Sequence, residues 1–299
     1  MIIKGKIISR VLISTALGIK GKGIFPRTLM PSYRGLLNAA KETNTTVIGK
    51  SVTRYPRKGN FRPAHPFTWR FIQNLPNGGM LNAYGLTNPG VDKLGKWFRG
   101  NNNPRYPVMI LSLYPEFSKG TELAIQETKE SIDALDEIGE LTLELNFSCP
   151  NSREKIKSNI ESGVKCVKEV KKVFPFLTLI AKVSIVHPCE FSQELEKAGV
   201  DAIHSVNTIP FEMVYPGKIS PMADVGGGGV SGKPIFKAAF EYNRGLREKI
   251  KIPLIVGGGV SCKEDVNQYF SIGADGVTMC TVVLRTPKMA QEIIETFNV

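Results

Sequence analysis

Eight short runs rich in Val, Ile and Leu recur along the 299 residues, and most are followed by a stretch with helical periodicity. The runs lack polar alternation, so they read as strands buried on both faces, as in a parallel sheet. Eight β-then-α units in order predict a (β/α)8 TIM barrel with an N-terminal hairpin and long insertions after strands 2 and 6.

The strand runs are 10–16, 46–50, 107–113, 141–146, 177–183, 201–206, 252–256 and 276–279; helical patterns occupy 33–42, 122–138, 159–173, 192–198, 234–248, 263–272 and 287–297. Residues 1–19 imitate a signal peptide, yet Arg10 divides the apolar run and no A-x-A site follows, so a short hairpin feeding strand 1 is the reading. Two connections, 51–106 and 207–233, are too long for plain loops and leave the C-terminal ends of strands, where barrels carry their functional segments. The first contains HPFTWRF and GGMLNAYGLTNPG, and the second ends in a glycine cluster. The basic stretch 54–70, with His65 and Trp69, fits a lid, an interface or a lineage-specific loop.

With 42% apolar residues, the chain has enough for one large core, and a single domain over 1–299 is expected. Five cysteines without CxxC spacing exclude a disulfide framework and an encoded zinc or iron–sulfur site, which points to a reducing cytoplasm. No segment nears the roughly 20 apolar residues that span a bilayer, so no membrane association is expected. The net charge of +12 suits a nucleic acid, an acidic partner or an anionic small substrate alike, and its residues are scattered without a polybasic tail.

The chemistry concentrates where strands end. After strand 4, Asn146-Phe147-Ser148-Cys149-Pro150-Asn151 puts one thiol between two amides, a set suited to abstracting a proton from a bound planar heterocycle. The same cysteine could be a small buried hydrophobe beside a turn. Gly257-Gly258-Gly259 follows strand 7 and Cys280-Thr281 follows strand 8, the places where barrels cradle phosphate with backbone amides. Lys50 and Lys182 end strands 2 and 5 after apolar residues; buried ammoniums there need an anionic partner, and snorkelling to the surface is the alternative. Asn82, Asn207 and Thr208 add to the polar set, while Asn88 before Pro89 reads as turn chemistry.

The segment NFSCPN resembles the signature of dihydroorotate dehydrogenases of the soluble, cysteine-dependent class 1 type. The similarity continues through Ala16-Leu17-Gly18, GKSVT at 49–53, LNAYGLTNPG, AKVS at 181–184, SVNTIP at 205–210, GGGGVSGKPI, VGGGV and GADGVTMCT. The resemblance implies oxidation of (S)-dihydroorotate to orotate in pyrimidine (UMP) biosynthesis, with FMN across the strand ends. It places Ala16, Gly18, Lys50, Ser51, Asn146, Lys182, Val206, Gly228 and Gly229 around the flavin, and Gly258, Gly259, Cys280 and Thr281 around its phosphate. Orotate or dihydroorotate falls to Asn82, Asn146, Asn151, Asn207 and Thr208, with Cys149 as the base and Lys50 beside it. A reduced flavin is also an anionic partner for the two lysines. The resemblance further implies a homodimer, and an iron–sulfur flavoprotein subunit if NAD accepts the electrons. Two positions depart from the pattern: Cys280 stands where a glycine is usual, and Leu17 where a serine is usual.

Three other readings compete with this one. A tRNA dihydrouridine synthase would suit the basic charge, but Ser148, Asn151 and an end at the eighth helix oppose it. A dihydropyrimidine-reducing enzyme shares the motif but has histidine at the position of Asn151. A flavin-binding interaction protein would not require Cys149, two buried lysines and four amides together.

Overall fold

The computed structural model describes residues 1–24, 26–99, 108–136, 141–148 and 156–298. Eight parallel strands close into a barrel in chain order: β1 (Val11–Ser14), β2 (Val47–Ile48), β3 (Met109–Leu113), β4 (Thr142–Asn146), β5 (Thr178–Lys182), β6 (Ala202–Ser205), β7 (Leu254–Val256) and β8 (Gly276–Met279), which pairs back onto β1. Around them lie α1 (Pro31–Glu42), α2 (Val91–Arg99), α3 (Thr121–Asp136), α4 (Ile156–Val173), α5 (Cys189–Lys197), α6 (Phe236–Lys249), α7 (Lys263–Ser271) and α8 (Pro287–Phe297). The expected (β/α)8 architecture is present.

Each strand divides its side chains between two cores, because successive residues point to opposite faces. Val11, Ile13, Leu111, Leu143, Leu145, Leu179, Ala181, Ile203 and Val277 face outward and pack under the helices. Leu12, Ile48, Ile110, Ile180, Ala202 and Ile255 form a separate inner cluster. Ile2–Ile3 pairs with Lys6–Ile7 as the expected hairpin, whose Ile3, with Ile8 and Met1, joins that cluster and closes the barrel's lower end. A fully buried Ile or Leu contributes roughly 1.5–3 kcal/mol, so this plug anchors the hairpin.

Two residues further along each strand, on the same face, stand Ser14, Lys50, Ser112, Glu144, Lys182, His204, Gly257 and Thr278. The interior therefore changes from apolar to polar at one level, and the polar level is the floor of whatever binds above.

The long connections fold together. Ile72–Asn74 and Gly79–Asn82 from the first join Ile209–Pro210 and Gly229–Gly232 from the second in a four-stranded antiparallel sheet over its own core, which includes Phe71, Leu81, Ile209, Met222 and Val230. The glycine cluster is thus partly a strand: Gly232 lies so close to Gly78 that an added Cβ would fall 2.3 Å from its carbonyl oxygen. Helix α2 was not expected from sequence. Pro234 occupies a 3-10 turn, Lys233–Ile235, which leads into α6. The basic stretch 54–70 is tied to the body by Arg54 to Asp92 (2.7 Å), Arg57 to Glu116 (2.8 Å) and Arg70 to Asp224 (2.6 Å). No helix among the described residues is long and apolar enough to cross a membrane.

Candidate active site

A cleft opens at the C-terminal ends of the strands, between the barrel and the four-stranded sheet. Of the residues expected to serve it, Lys50, Ser51, Asn82, Asn146, Lys182, Val206, Asn207, Thr208, Gly258, Gly259, Cys280 and Thr281 line its wall. Cys149 and Asn151 lie outside the described residues. Ser148, the last described residue before them, is buried, and its carbonyl accepts a hydrogen bond from Asn207 Nδ2 at 3.1 Å. Four expected contacts are displaced by a residue or more. Ala16 is buried with its carbonyl accepting from the Tyr33 hydroxyl (3.2 Å), and Gly18 makes the following turn, so Ser14 and Thr15 form that wall. From the second glycine cluster, Ser231 and Gly232 line the cleft, whereas Gly229, at the start of the same strand, and Gly228 before it do not.

The turn after β7 has the shape an anion requires. Tyr269 donates its hydroxyl to the Gly258 carbonyl (2.6 Å) and stands 3.2 Å from that of Gly257, to which Asn243 Nδ2 donates at 3.3 Å. In a planar trans peptide the N–H points opposite to the preceding C=O, so the Gly258 and Gly259 amides are turned to the cleft side. The phi angles of +103° and +84° favour glycine here, and a Cβ on Gly259 would lie 2.5 Å from Phe236 Cα. Across the cleft, Thr281 Oγ1 donates to Ser231 Oγ at 2.9 Å. Cys280, in place of a glycine, is accommodated with its Sγ 3.4 Å from Thr15 Oγ1. These amides and hydroxyls fit a phosphate, and the ammoniums of Lys50 and Lys182 below fit the electron-rich edge of a flavin.

Lys182 is buried, whereas Lys50 is half-buried with its Nζ 3.4 Å from the centroid of the Tyr84 ring. That ring lines the cleft, and burial raises its hydroxyl's pKa.

Beneath them runs a polar chain that the motifs did not announce. Asn146 Nδ2 donates to Ser51 Oγ, Ser51 to Ser112 Oγ, and Ser112 to Glu144 Oε1, each at 2.8 Å. Glu144 Oε2 stands 2.6 Å from His204 Nδ1, and His204 Nε2 stands 3.2 Å from Thr278 Oγ1. Burial pushes the Glu144 carboxyl upward, but Lys182, His204 and the Ser112 hydroxyl outweigh it and hold the pKa at about 2. Burial and then Lys182 lower His204, against the pull of Glu144. A signal for this chain exists in the sequence: every strand places a polar residue or glycine two positions after its inward apolar or small one. Asn88 is a turn residue as expected, accepting from Gly90 N at 2.9 Å and donating to the Leu86 carbonyl at 2.7 Å.

Comparison with known proteins agrees with this geometry. The dihydroorotate dehydrogenase family model matches residues 34–298. The protein of Oceanobacillus iheyensis named dihydroorotate dehydrogenase B (NAD(+)), catalytic subunit, is 29% identical over 255 residues, covering 83% of this chain and 78% of that one. Its namesake in Halalkalibacterium halodurans is 29% identical over 252 residues, covering 82% and 77%. Among solved structures, the dihydroorotate dehydrogenase of Eimeria tenella in complex with ferulenol superposes with a TM-score of 0.70 at 17% identity, covering 99% of this chain and 82% of that one, a likeness of fold. With a barrel mouth built for a phosphorylated flavin and a family match over most of its length, the chain belongs to the dihydroorotate dehydrogenase family, FMN-dependent oxidoreductases that convert dihydroorotate to orotate in pyrimidine biosynthesis.

Proposed function

We propose that Cys149 is the base that removes the C5 proton of (S)-dihydroorotate while the C6 hydride leaves to the flavin on the opposite face. The observation that carries this reading is the convergence of Lys50, Asn82, Asn146, Asn207 and Thr208 on one cleft wall, at the end of the strand that runs on into Cys149. FMN, when bound, supplies the hydride acceptor. Ser148 holds Asn146 by donating its N–H (3.0 Å) and its hydroxyl (2.6 Å) to Oδ1, and one Nδ2 proton goes to Ser51. This fixes the amide orientation and leaves one N–H for a substrate carbonyl. Lys50 and Lys182 supply positive charge beside the ring that gains electrons, and Lys50 favours the Cys149 thiolate. Asn82, Asn207 and Thr208, with Asn151, hold the carbonyls and carboxylate of the pyrimidine.

Two relatives are named NAD(+)-dependent catalytic subunits, which implies a second subunit. We infer an iron–sulfur flavoprotein partner that passes electrons to NAD. The single domain of 1–299, a homodimer and a cytoplasmic location complete this reading. The test is anaerobic mixing of the FMN-loaded protein with dihydroorotate or dihydrouracil while the flavin absorbance is followed. Bleaching by dihydroorotate alone is expected; bleaching by neither would overturn the substrate assignment.

A further inference from the structure

The buried chain can hold its imidazole fully hydrogen-bonded in either of two protonation states. Glu144 is ionised and can only accept, so His204 Nδ1 carries a proton and donates to it. The Thr278 hydroxyl stands 3.2 Å from His204 Nε2 and also 3.2 Å from the Val256 carbonyl oxygen. A hydroxyl has a single proton. If the imidazole is neutral, Thr278 donates to Nε2, and the Val256 carbonyl keeps its partner in the parallel β7–β8 ladder. If it is an imidazolium, Nε2–H donates to Thr278, Thr278 donates to Val256, and all three contacts become hydrogen bonds.

We propose that His204 takes up a proton when the flavin above it is reduced, so that the buried polar level gains no net charge during the reaction. The inference rests on the FMN site described above. Before reduction, burial and Lys182 favour the neutral ring. The charged groups facing it are Glu144 from β4 and Lys182 from β5; Thr278 faces it from β8, and Lys50, two residues past β2, lines the same cleft. A bound flavin that accepted a hydride would gain two electrons and one proton and so one negative charge. The balancing proton comes from solvent and goes to His204 Nε2. His204 is thus a positioning and charge-balancing residue, acting through the field at the flavin.

The test is the pH dependence of the flavin midpoint potential in the FMN-loaded protein, equilibrated with redox mediators near neutral pH. The wild type is expected to follow the slope for two electrons with two protons, and His204→Gln a slope about half as steep, since only one proton then accompanies the electrons. Equal slopes in the two proteins would overturn the proposal. Thr278→Val, of similar shape, removes the acceptor for Nε2–H, and the pH at which the two-proton slope gives way should fall; an unchanged break would also overturn it. Mediators supply the electrons, so these slopes stand or fall independently of whether dihydroorotate is the substrate.

Discussion

Glu144 Oε2 and His204 Nδ1 stand 2.6 Å apart, both shut off from solvent, at the level where the barrel interior turns from apolar to polar. Lys182 shares this level, paired in register with His204 across β5 and β6. Removing one member of a buried charged set strands the others. Glu144→Gln is therefore expected to cost about 3–5 kcal/mol in unfolding free energy, read from denaturant midpoints. A loss below about 1 kcal/mol would mean that the pair carries little of the barrel's stability.

His187 gives a pH dependence of definite sign. Burial lowers its pKa from 6.5 to about 4, so the unfolded chain binds a proton across that window and the folded chain does not. Stability is full above pH 6.5 and falls as the pH is lowered, by about 3 kcal/mol from this residue by pH 4. Glu144, lowered from 4.5 to about 2, adds a loss of the same sign below pH 4.5. Urea midpoints at pH 7 and pH 5 should differ, and His187→Asn, which keeps an acceptor for Ser184 N–H, should flatten the difference.

Gly259→Ala would set a Cβ 2.5 Å from Phe236 Cα at a phi of +84°. The strain is of order 1–3 kcal/mol, and relief by rotating the turn would swing its amides off the phosphate. A fall of at least about tenfold in FMN affinity is expected by flavin fluorescence titration, a threshold equivalent to about 1.4 kcal/mol.

Cys149→Ala should retain FMN and lose turnover by roughly 10²–10⁴-fold, the usual worth of a positioned base. Steady-state oxidation of dihydroorotate measures it, and unchanged turnover would remove Cys149 from the mechanism.

Ile3→Ala opens a cavity in the plug beneath the barrel, far below the cleft in the layered interior. An unfolding cost of about 2–5 kcal/mol is expected with the FMN content of the purified protein unchanged.

The barrel was legible because parallel strands buried on both faces leave long apolar runs that few other arrangements produce. Its C-terminal rim was legible for the same reason: once strands are counted, NFSCPN, GGG and the two lysines fall at their ends. Helix α2 does carry an apolar face, with Val91, Leu94 and Phe98 at helical spacing against Asp92, Lys93, Lys96 and Arg99, but its nine residues lie inside the long connection after β2, outside the count of eight β-then-α units. The four-stranded sheet was hidden because Gly79–Asn82 and Gly229–Gly232 pair across about 150 intervening residues, and three of the four residues in the latter segment are Gly or Ser.

By itself, the amino-acid sequence determined the fold class, the family and the rim from which the site is built, since each depends on local pattern and on the order of elements. Tertiary structure alone decided that Ser14 and Thr15, rather than Ala16 and Gly18, line the cleft, and likewise Ser231 and Gly232 rather than Gly228 and Gly229. It also joined Asn146, Ser51, Ser112, Glu144, His204 and Thr278 into one hydrogen-bonded chain from four strands and a strand-end loop. Barrel closure is the physical reason: alternation tells which residues point inward, but only the stagger of the closed sheet brings inward residues of different strands to the same height.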